Sequence, residues 1–241
     1  MHRSDYERVA THLGLDVTPT LRRNIQWFKR EAKSRDNIVL RYFGESGFRS
    51  LVDIIAKQIT AQRFKHEITI LEVGVGSGTF AIPIYESVTN SGTSISSYSG
   101  LDPSWDMLRA LKLKNKPIVP IIGIMEGIHS AIEENRKIST QIPTSFDVVI
   151  AILVLHHISD LRAAFRSVSE VLGSEGIFLV VDTLPHMLDT SEPEAHPGFV
   201  LEELTEVAIP YFSDMDLTQM DKIVCSSERY SAGTFLGKMK H

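Results

Sequence analysis

The pattern of apolar and polar positions changes near residue 65, and this change divides the chain into two parts. Before residue 65, apolar residues recur at the three- and four-residue spacing of amphipathic helices. The positions are Leu21, Ile25, Phe28 and Ala32, followed by Phe48, Leu51, Val52, Ile55, Ala56 and Ile59. The pattern therefore predicts a helical N-terminal extension over residues 1–65.

Beyond residue 65, short apolar runs alternate with helical stretches. The runs cover residues 68–73, 97–101, 118–122, 146–152 and 176–181. Such alternation is typical of βαβ units, which form a parallel sheet with helices on both faces. We therefore expect a doubly wound α/β domain over residues 66–241. Its clearest helix begins at Leu161, with Gly173 placed to end it.

Two further apolar segments, residues 222–226 and 232–237, lie close together near the C-terminus. The connection between them is too short for a crossover helix, so the two strands must pair as an antiparallel hairpin. The predicted sheet then has seven strands and is mostly parallel.

Composition limits the class of protein. The 241 residues are 43% hydrophobic and 23% charged, which is the composition of an ordinary globular protein. No apolar run approaches the length of a membrane span, and the first residues lack a signal-peptide pattern. Cys225 is the only cysteine, so an internal disulfide is excluded. These features predict a cytoplasmic protein with no membrane partner.

Charge is unevenly distributed along the chain. Residues 1–65 contain 13 Lys and Arg against 7 Asp and Glu, whereas the remainder contains 12 against 23. A basic segment is compatible with an anionic partner such as RNA, but here basic and acidic residues are interleaved. We therefore expect the two parts to dock on each other and do not expect nucleic acid as the partner.

A glycine-rich turn follows the first predicted strand and precedes a helix. Residues 71–78 read Leu-Glu-Val-Gly-Val-Gly-Ser-Gly. Glycines let a ligand approach the backbone closely, and a helix N-terminus favours nucleotide-type ligands. The spacing is Gly-x-Gly-x-Gly, which differs from the dinucleotide fingerprint Gly-x-Gly-x-x-Gly. For the glycines taken alone, an ordinary tight turn remains the alternative.

Asp102 ends the second predicted strand, 24 residues after Gly78. A carboxylate at this edge of a parallel sheet can accept hydrogen bonds from both hydroxyls of a ribose. The glycine turn and Asp102 together therefore point to an adenosine-containing ligand.

Residues 70–181 resemble the core of the class I S-adenosylmethionine-dependent methyltransferases, closest to the group that acts on small molecules. Residues 71–78 resemble the first motif of this family, and residues 100–108, which contain Asp102, resemble the segment with its ribose-binding acid. Residues 146–157 resemble the fourth motif, and residues 170–176 resemble the helix and strand that follow it. The terminal hairpin also fits, because the sheet of this family ends in an antiparallel pair.

The resemblance implies S-adenosyl-L-methionine as the cofactor and assigns roles to matching residues. The glycines would line its methionine half, Glu72 would fix the loop and the amino group, and Met107 would pack by the adenine. Relatives often carry Gly-Asp-Ala-Glu where this chain has Gly-Ile-Met-Glu at 123–126, so an apolar contact is expected instead of the usual carboxylate. The expected cofactor-binding residues are Glu72, Gly74, Val75, Gly76, Ser77, Gly78, Asp102, Pro103, Ser104, Met107, Met125, Ala151 and Ile152.

Candidate catalytic residues follow the fourth and fifth strands. His156 and His157 lie at the carboxyl edge and have a pKa suited to a general base, although packing and loop ordering is the alternative role. A second group of polar residues follows the fifth predicted strand. Its spacing matches no compact metal-ligand motif, so we expect a substrate-side loop there and no metal. Its members are Asp182, His186, Asp189 and His196.

The expected activity is S-adenosylmethionine-dependent methyl transfer to a small-molecule acceptor. Residues 1–65 are expected to form a lid that excludes water at the carboxyl edge of the sheet. Its aromatic walls are expected from among Tyr6, Trp27, Tyr42 and Phe43. The alternatives are an RNA- or tRNA-directed methyltransferase, a nicotinamide-dependent oxidoreductase and a catalytically silent cofactor-binding subunit.

Overall fold

The computed structural model describes residues 3–15, 18–186, 195–226 and 231–241, and these contain one seven-stranded sheet. The strands are β1 (Ile68–Val73), β2 (Ile95–Asp102), β3 (Ile118–Ile122), β4 (Phe146–Ile152), β5 (Leu172–Thr183), β6 (Asp214–Ser226) and β7 (Ser231–Lys240). The helices are α1 (Arg3–Leu13), α2 (Pro19–Glu31), α3 (Arg35–Thr60), α4 (Ala81–Asn90), α5 (Trp105–Leu113), α6 (Ile128–Arg136), α7 (Leu161–Val171) and α8 (Leu201–Ala208).

The order across the sheet is β3-β2-β1-β4-β5-β7-β6. Strands β1 to β5 are parallel, and β7 runs antiparallel between β5 and β6. This arrangement confirms the predicted doubly wound, mostly parallel sheet with a terminal antiparallel hairpin. Strands β1 and β4 are neighbours although β2 and β3 intervene in the chain, so a crevice opens at their carboxyl ends.

Alternation along the strands gives the sheet two buried faces. Ile70 belongs to one apolar cluster, which includes Ile55 of α3 and Ile84 of α4. Leu71 belongs to the other cluster, which includes Phe165 of α7. All five side chains are completely buried, which explains why these strands read as continuous apolar runs.

Several element boundaries differ from the sequence prediction. Strands β2 and β5 to β7 are longer than their apolar runs, because polar residues also extend the hydrogen-bonded ladders at the strand ends. Helix α7 ends at Val171, so the expectation that Gly173 ends this helix is wrong. Leu172 already has extended backbone angles (φ −77°, ψ 133°) and begins β5.

The N-terminal helices reach both faces of the sheet. Helix α1 packs against α6, α2 packs against α5, and α3 packs against α4 and β6. Helix α2 begins after Thr18, whose hydroxyl accepts a hydrogen bond from the backbone N–H of Leu21 at 3.1 Å. Helix α3 is kinked at Gly44, where φ is 63° and ψ is 166°.

None of the helices in the described part of the chain is both long enough and apolar enough to cross a membrane.

Candidate functional site

A cleft of about 230 Å³ lies at the carboxyl ends of β1, β2 and β4, beneath α2 and the start of α3. This is the crevice that the strand order predicts for ligand binding. The structure brings most of the expected cofactor-binding residues into its lining. They are Glu72, Gly74, Val75, Gly76, Ser77, Asp102, Pro103, Met107, Met125 and Ile152.

Four of the expected site residues lie behind the cleft surface and not in its lining: Gly78, Ser104, Ala151 and His156. Each has a packing or capping role instead. Ser104 caps α5 by accepting a hydrogen bond from the backbone N–H of Met107, and Ala151 is completely buried in the sheet. The surroundings of Gly78 and His156 are described below.

The three glycines of the turn have positive φ values of 68°, 54° and 81° at positions 74, 76 and 78. A Cβ atom at Gly74 would lie 2.2 Å from Val154, and one at Gly78 would lie 2.5 Å from Leu111. At Gly76, the nearest atoms would be 4.0 Å away. Gly74 and Gly78 are therefore required by close packing, whereas Gly76 leaves open space beside the backbone.

Asp102 holds the glycine turn from across the cleft. Its Oδ2 atom accepts a hydrogen bond from the backbone N–H of Gly76 at 2.9 Å, and its Oδ1 atom accepts one from Ser104 at 2.7 Å. The side chain is only 7% exposed. Burial raises the pKa of Asp102 to about 6, although the two backbone donors lower it.

Glu72 is a buried carboxyl at the base of the cleft. The hydroxyl of Tyr98, on neighbouring β2, donates a hydrogen bond of 2.5 Å to its Oε2 atom. Burial raises the pKa of Glu72 to about 8, and the Tyr98 hydrogen bond only partly offsets this effect. Glu72 is therefore mostly protonated at neutral pH when the cleft holds no charged ligand.

A carboxylate also lines the cleft beside Met125. Glu126 follows Met125 in a single turn after β3, and Asp160 lies close to it before α7. Burial raises the pKa of Glu126, and the neighbouring charge of Asp160 raises it further.

The two histidines after β4 have different surroundings. The Nδ1 atom of His156 lies 2.7 Å from Oδ1 of Asp182, which is completely buried. The other oxygen of Asp182 accepts hydrogen bonds from the backbone N–H groups of Val154 and Leu155 at 3.1 and 2.9 Å. His156 thus orders this turn, whereas His157 lines the cleft.

The polar residues after β5 form separate contacts. Nδ1 of His186 lies 3.2 Å from the carbonyl of Leu184, and Nε2 of His196 lies 2.8 Å from the carbonyl of Ile158. Asp189 lies outside the described residues. Within the described residues, no three His, Cys, Asp or Glu side chains are grouped as metal ligands would be.

Phe28, and not the neighbouring Trp27, supplies the aromatic wall of the cleft from α2. The ring of Phe28 meets the ring of His157 edge-on, with 5.1 Å between centroids. Trp27 instead lies beneath the guanidinium of Arg30 at 5.8 Å. Helical periodicity explains the difference, because Phe28 shares its stripe with Leu21 and residue 27 does not. Tyr42 and Phe43 also lie outside the cleft lining, and the side chain of Tyr6 lies outside the described part of the structure.

The beginning of α3 contributes two charged residues that the sequence patterns did not reveal. Arg35 lines the cleft, pairs with Glu31 at 2.8 Å and lies over the ring of Phe28 at 5.0 Å. The carboxylate of Asp36 accepts hydrogen bonds from the hydroxyls of Ser77 and Thr79 at 2.8 and 2.6 Å. The two contacts of Asp36 join residues 41 and 43 positions apart, so no local sequence motif indicates them.

Residues 71–178 match the model of a family described as a methyltransferase domain. N-methyltransferase 4 of Papaver somniferum is 23% identical over an alignment of 234 positions that covers 92% of this chain and 59% of that protein. A highly reducing polyketide synthase of Alternaria alternata, AFT9-1, is 22% identical over 61% of this chain and 5% of its own length. The chain thus spans only part of both curated relatives.

Solved structures share the fold. The CurJ carbon methyltransferase superposes with a TM-score of 0.63 at 16% identity, covering 98% of this chain and 66% of that one. The match of residues 71–178 to a methyltransferase-domain model and the fold shared with solved methyltransferases agree with the resemblance to the class I S-adenosylmethionine-dependent methyltransferases. S-adenosylmethionine is the cofactor of this class, and the open space beside Gly76 is compatible with a ligand of this kind.

Proposed function

We propose that this protein transfers a methyl group from S-adenosylmethionine to a small-molecule acceptor. The main support is the hydrogen bond of 2.9 Å between the backbone N–H of Gly76 and Asp102, which sets the glycine turn opposite the carboxylate. In this proposal, Asp102 accepts hydrogen bonds from the ribose, and the turn from Gly74 to Ser77 borders the methionine half. Met107 and Met125 would provide apolar contacts to the adenine.

The cofactor supplies the activated group. When bound, S-adenosylmethionine presents a methyl group on a sulfonium, so a nucleophile gains the methyl while the electron pair of the broken C–S bond stays on sulfur. The protein must then align the acceptor and exclude water. The relatives named above include an N-methyltransferase and a carbon methyltransferase, and therefore they do not select the acceptor atom.

Of the two candidate bases, we assign the role to His157. It lines the cleft and is partly exposed, whereas His156 is committed to the buried Asp182. An imidazole at the edge of the cleft can take a proton from an N–H or O–H acceptor.

We further propose that residues 1–65 serve as the cover of this site, with α2 as the part above the cleft. Leu21, Asn24 and Phe28 form the stripe of α2 that lines the cleft. Arg35 extends the same wall from α3. The lining is thus shared between the extension and the α/β domain, which suits a site that must exclude water.

Calorimetric titration with S-adenosylhomocysteine, compared with NADH, tests this function. Only the ligand that the cleft accommodates is expected to bind. At a concentration a hundredfold above its Kd, that ligand stabilises the folded protein by about 2.7 kcal/mol. Formation of S-adenosylhomocysteine with a panel of amines, alcohols and carbon acids then separates an enzyme from a silent subunit. Binding of NADH alone would refute the proposal.

A further inference from the structure

Asn24 is the buried residue of α2, with a side chain only 7% exposed, and it lines the cleft. It occupies the apolar stripe of the helix between Leu21 and Phe28, where an aliphatic residue would ordinarily lie. A polar side chain at a buried position costs free energy unless its hydrogen bonds are made. The amide of Asn24 therefore requires an explanation that packing does not provide.

The orientation of this amide follows from its protein partner. The Nδ2 atom of Asn24 donates a hydrogen bond to the backbone carbonyl of His157 at 3.3 Å. Because a carbonyl only accepts, the nitrogen must face His157 and the oxygen must face elsewhere. Asn24 and His157 both line the cleft, so this amide lies beside His157 in the cleft wall.

The amide oxygen has no hydrogen-bond donor among the described residues, although it is buried. Leaving such an acceptor unpaired costs about 1–3 kcal/mol. A ligand that donates a hydrogen bond to this oxygen would recover that free energy. A methyl acceptor that carries only C–H bonds would not recover it.

We propose that Asn24 determines acceptor specificity by accepting a hydrogen bond from the methyl acceptor, and that this acceptor is an amine. The inference rests on the proposed function, since it concerns the second ligand of the same cleft. Phe28 and His157, whose rings are in contact, flank this position and suit an acceptor with an apolar body. The nitrogen to be methylated would lie beside the amide of Asn24 and the ring of His157.

The charges around the cleft favour an amine over an alcohol. Glu126 and Asp160 line the cleft beside Asp102, and they attract a cationic donor. Among the described lining residues, Arg35 is the basic side chain that opposes them, and its charge is engaged by Glu31 at 2.8 Å. Hydrogen bonds from a charged donor are also the stronger ones.

Three probes of similar size test the inference: benzylamine, benzyl alcohol and propylbenzene. Each is titrated into the protein saturated with S-adenosylhomocysteine, and the Kd values are compared. Benzylamine is expected to bind most tightly and propylbenzene most weakly. Equal affinity for benzylamine and propylbenzene would overturn the role of Asn24, and equal affinity for the amine and the alcohol would overturn the choice of an amine.

The variant Asn24→Leu removes the acceptor oxygen, together with the Nδ2 donor to the carbonyl of His157, while keeping similar side-chain volume. We expect it to weaken benzylamine binding about tenfold or more and to change the Kd of S-adenosylhomocysteine less than about twofold. Gln26→Leu makes a matched change on the exposed face of the same helix and is expected to alter neither Kd.

Two outcomes separate this inference from the proposed function. If Asn24→Leu weakens S-adenosylhomocysteine and leaves benzylamine unaffected, Asn24 serves the cofactor and the inference is wrong while the function stands. If the unmodified protein does not bind S-adenosylhomocysteine at all, the proposed function is wrong and the inference falls with it.

Discussion

The carboxylate of Asp36, at the start of α3, accepts a hydrogen bond of 2.6 Å from the hydroxyl of Thr79, just beyond the glycine turn. Ser77 donates to the same oxygen, and the ammonium of Lys114 lies 2.6 Å from the other. Burial alone would raise the pKa of Asp36, but hydrogen bonds from Lys114, Thr79 and Ser77 hold it below its usual value. The N-terminal extension is thereby attached directly to the turn that borders the cleft.

We predict that Asp36→Ala weakens S-adenosylhomocysteine binding by roughly tenfold, because hydrogen bonds to a charged group contribute about 1–2 kcal/mol when partly exposed. The Kd of Asp36→Asn should fall between those of the unmodified protein and Asp36→Ala, since its amide keeps one acceptor oxygen. Titration calorimetry measures the three Kd values. Asp53→Asn, on an exposed part of the same helix, is the control and should bind normally. Unchanged affinity in Asp36→Ala would show that the attachment does not support the turn.

Gly76→Val is expected to abolish S-adenosylhomocysteine binding, because the new side chain would occupy the open space beside the turn. The control is Gly92→Val, since Gly92 also has a positive φ, at 89°, and lies outside the cleft lining. Both variants should lose stability through backbone strain of about 1–2 kcal/mol. Calorimetry and urea unfolding together separate the two effects. Normal binding by Gly76→Val would mean that the turn has no contact with ligand.

The buried carboxyl of Glu72 should make stability depend on pH. Its pKa rises from 4.5 to about 8 on folding, so the folded state retains a proton that the unfolded state loses between these values. Stability therefore falls as pH rises from about 4.5 to about 8. A pKa unit corresponds to about 1.4 kcal/mol, and the loss amounts to several kcal/mol. Urea unfolding of Glu72→Gln, which keeps an acceptor for Tyr98, should show a shallower slope, whereas parallel slopes would contradict this account.

Gly44 and Gly47 should respond in opposite directions to replacement by alanine. At Gly44, φ of 63° with ψ of 166° is a conformation essentially restricted to glycine, so Gly44→Ala should cost about 1–3 kcal/mol even though a Cβ meets no atom within 4 Å. At Gly47, a helical residue whose Cβ would make ordinary contact with Phe43, alanine should stabilise by about 0.5–1 kcal/mol. Thermal unfolding measures both changes, and a Gly44→Ala variant that is as stable as the unmodified protein would exclude a required kink.

Replacing the two histidines one at a time should separate an effect on stability from an effect on turnover. His156→Ala leaves the buried Asp182 without its ring partner and should destabilise the protein by about 3 kcal/mol. His157→Ala removes an edge contact with Phe28, which is worth about 1 kcal/mol. It should leave the Kd of S-adenosylhomocysteine unchanged while slowing its formation from benzylamine. If His157→Ala retains full turnover, His157 is not the base.

The strands, the glycine turn and Asp102 were predictable from the sequence, because each depends on neighbouring residues. Apolar runs bounded by polar positions define β1, β3 and β4 directly, since strands buried on both faces need continuous apolar residues. The turn from Gly74 to Gly78 is visible because only glycine readily adopts its positive φ values. The terminal hairpin follows from the short connection between its strands.

Only the tertiary structure decided which side chains meet in the cleft. Asn24, Phe28 and Arg35 reach it because α2 and α3 pack across the carboxyl edge of the sheet, and helical periodicity does not specify which partner an apolar stripe will face. His156 and His157 are adjacent in the chain and their ring centroids are 4.0 Å apart, yet one is bound to Asp182 and the other lines the cleft. Such contacts depend on how distant segments pack together, and a local sequence pattern does not specify that packing.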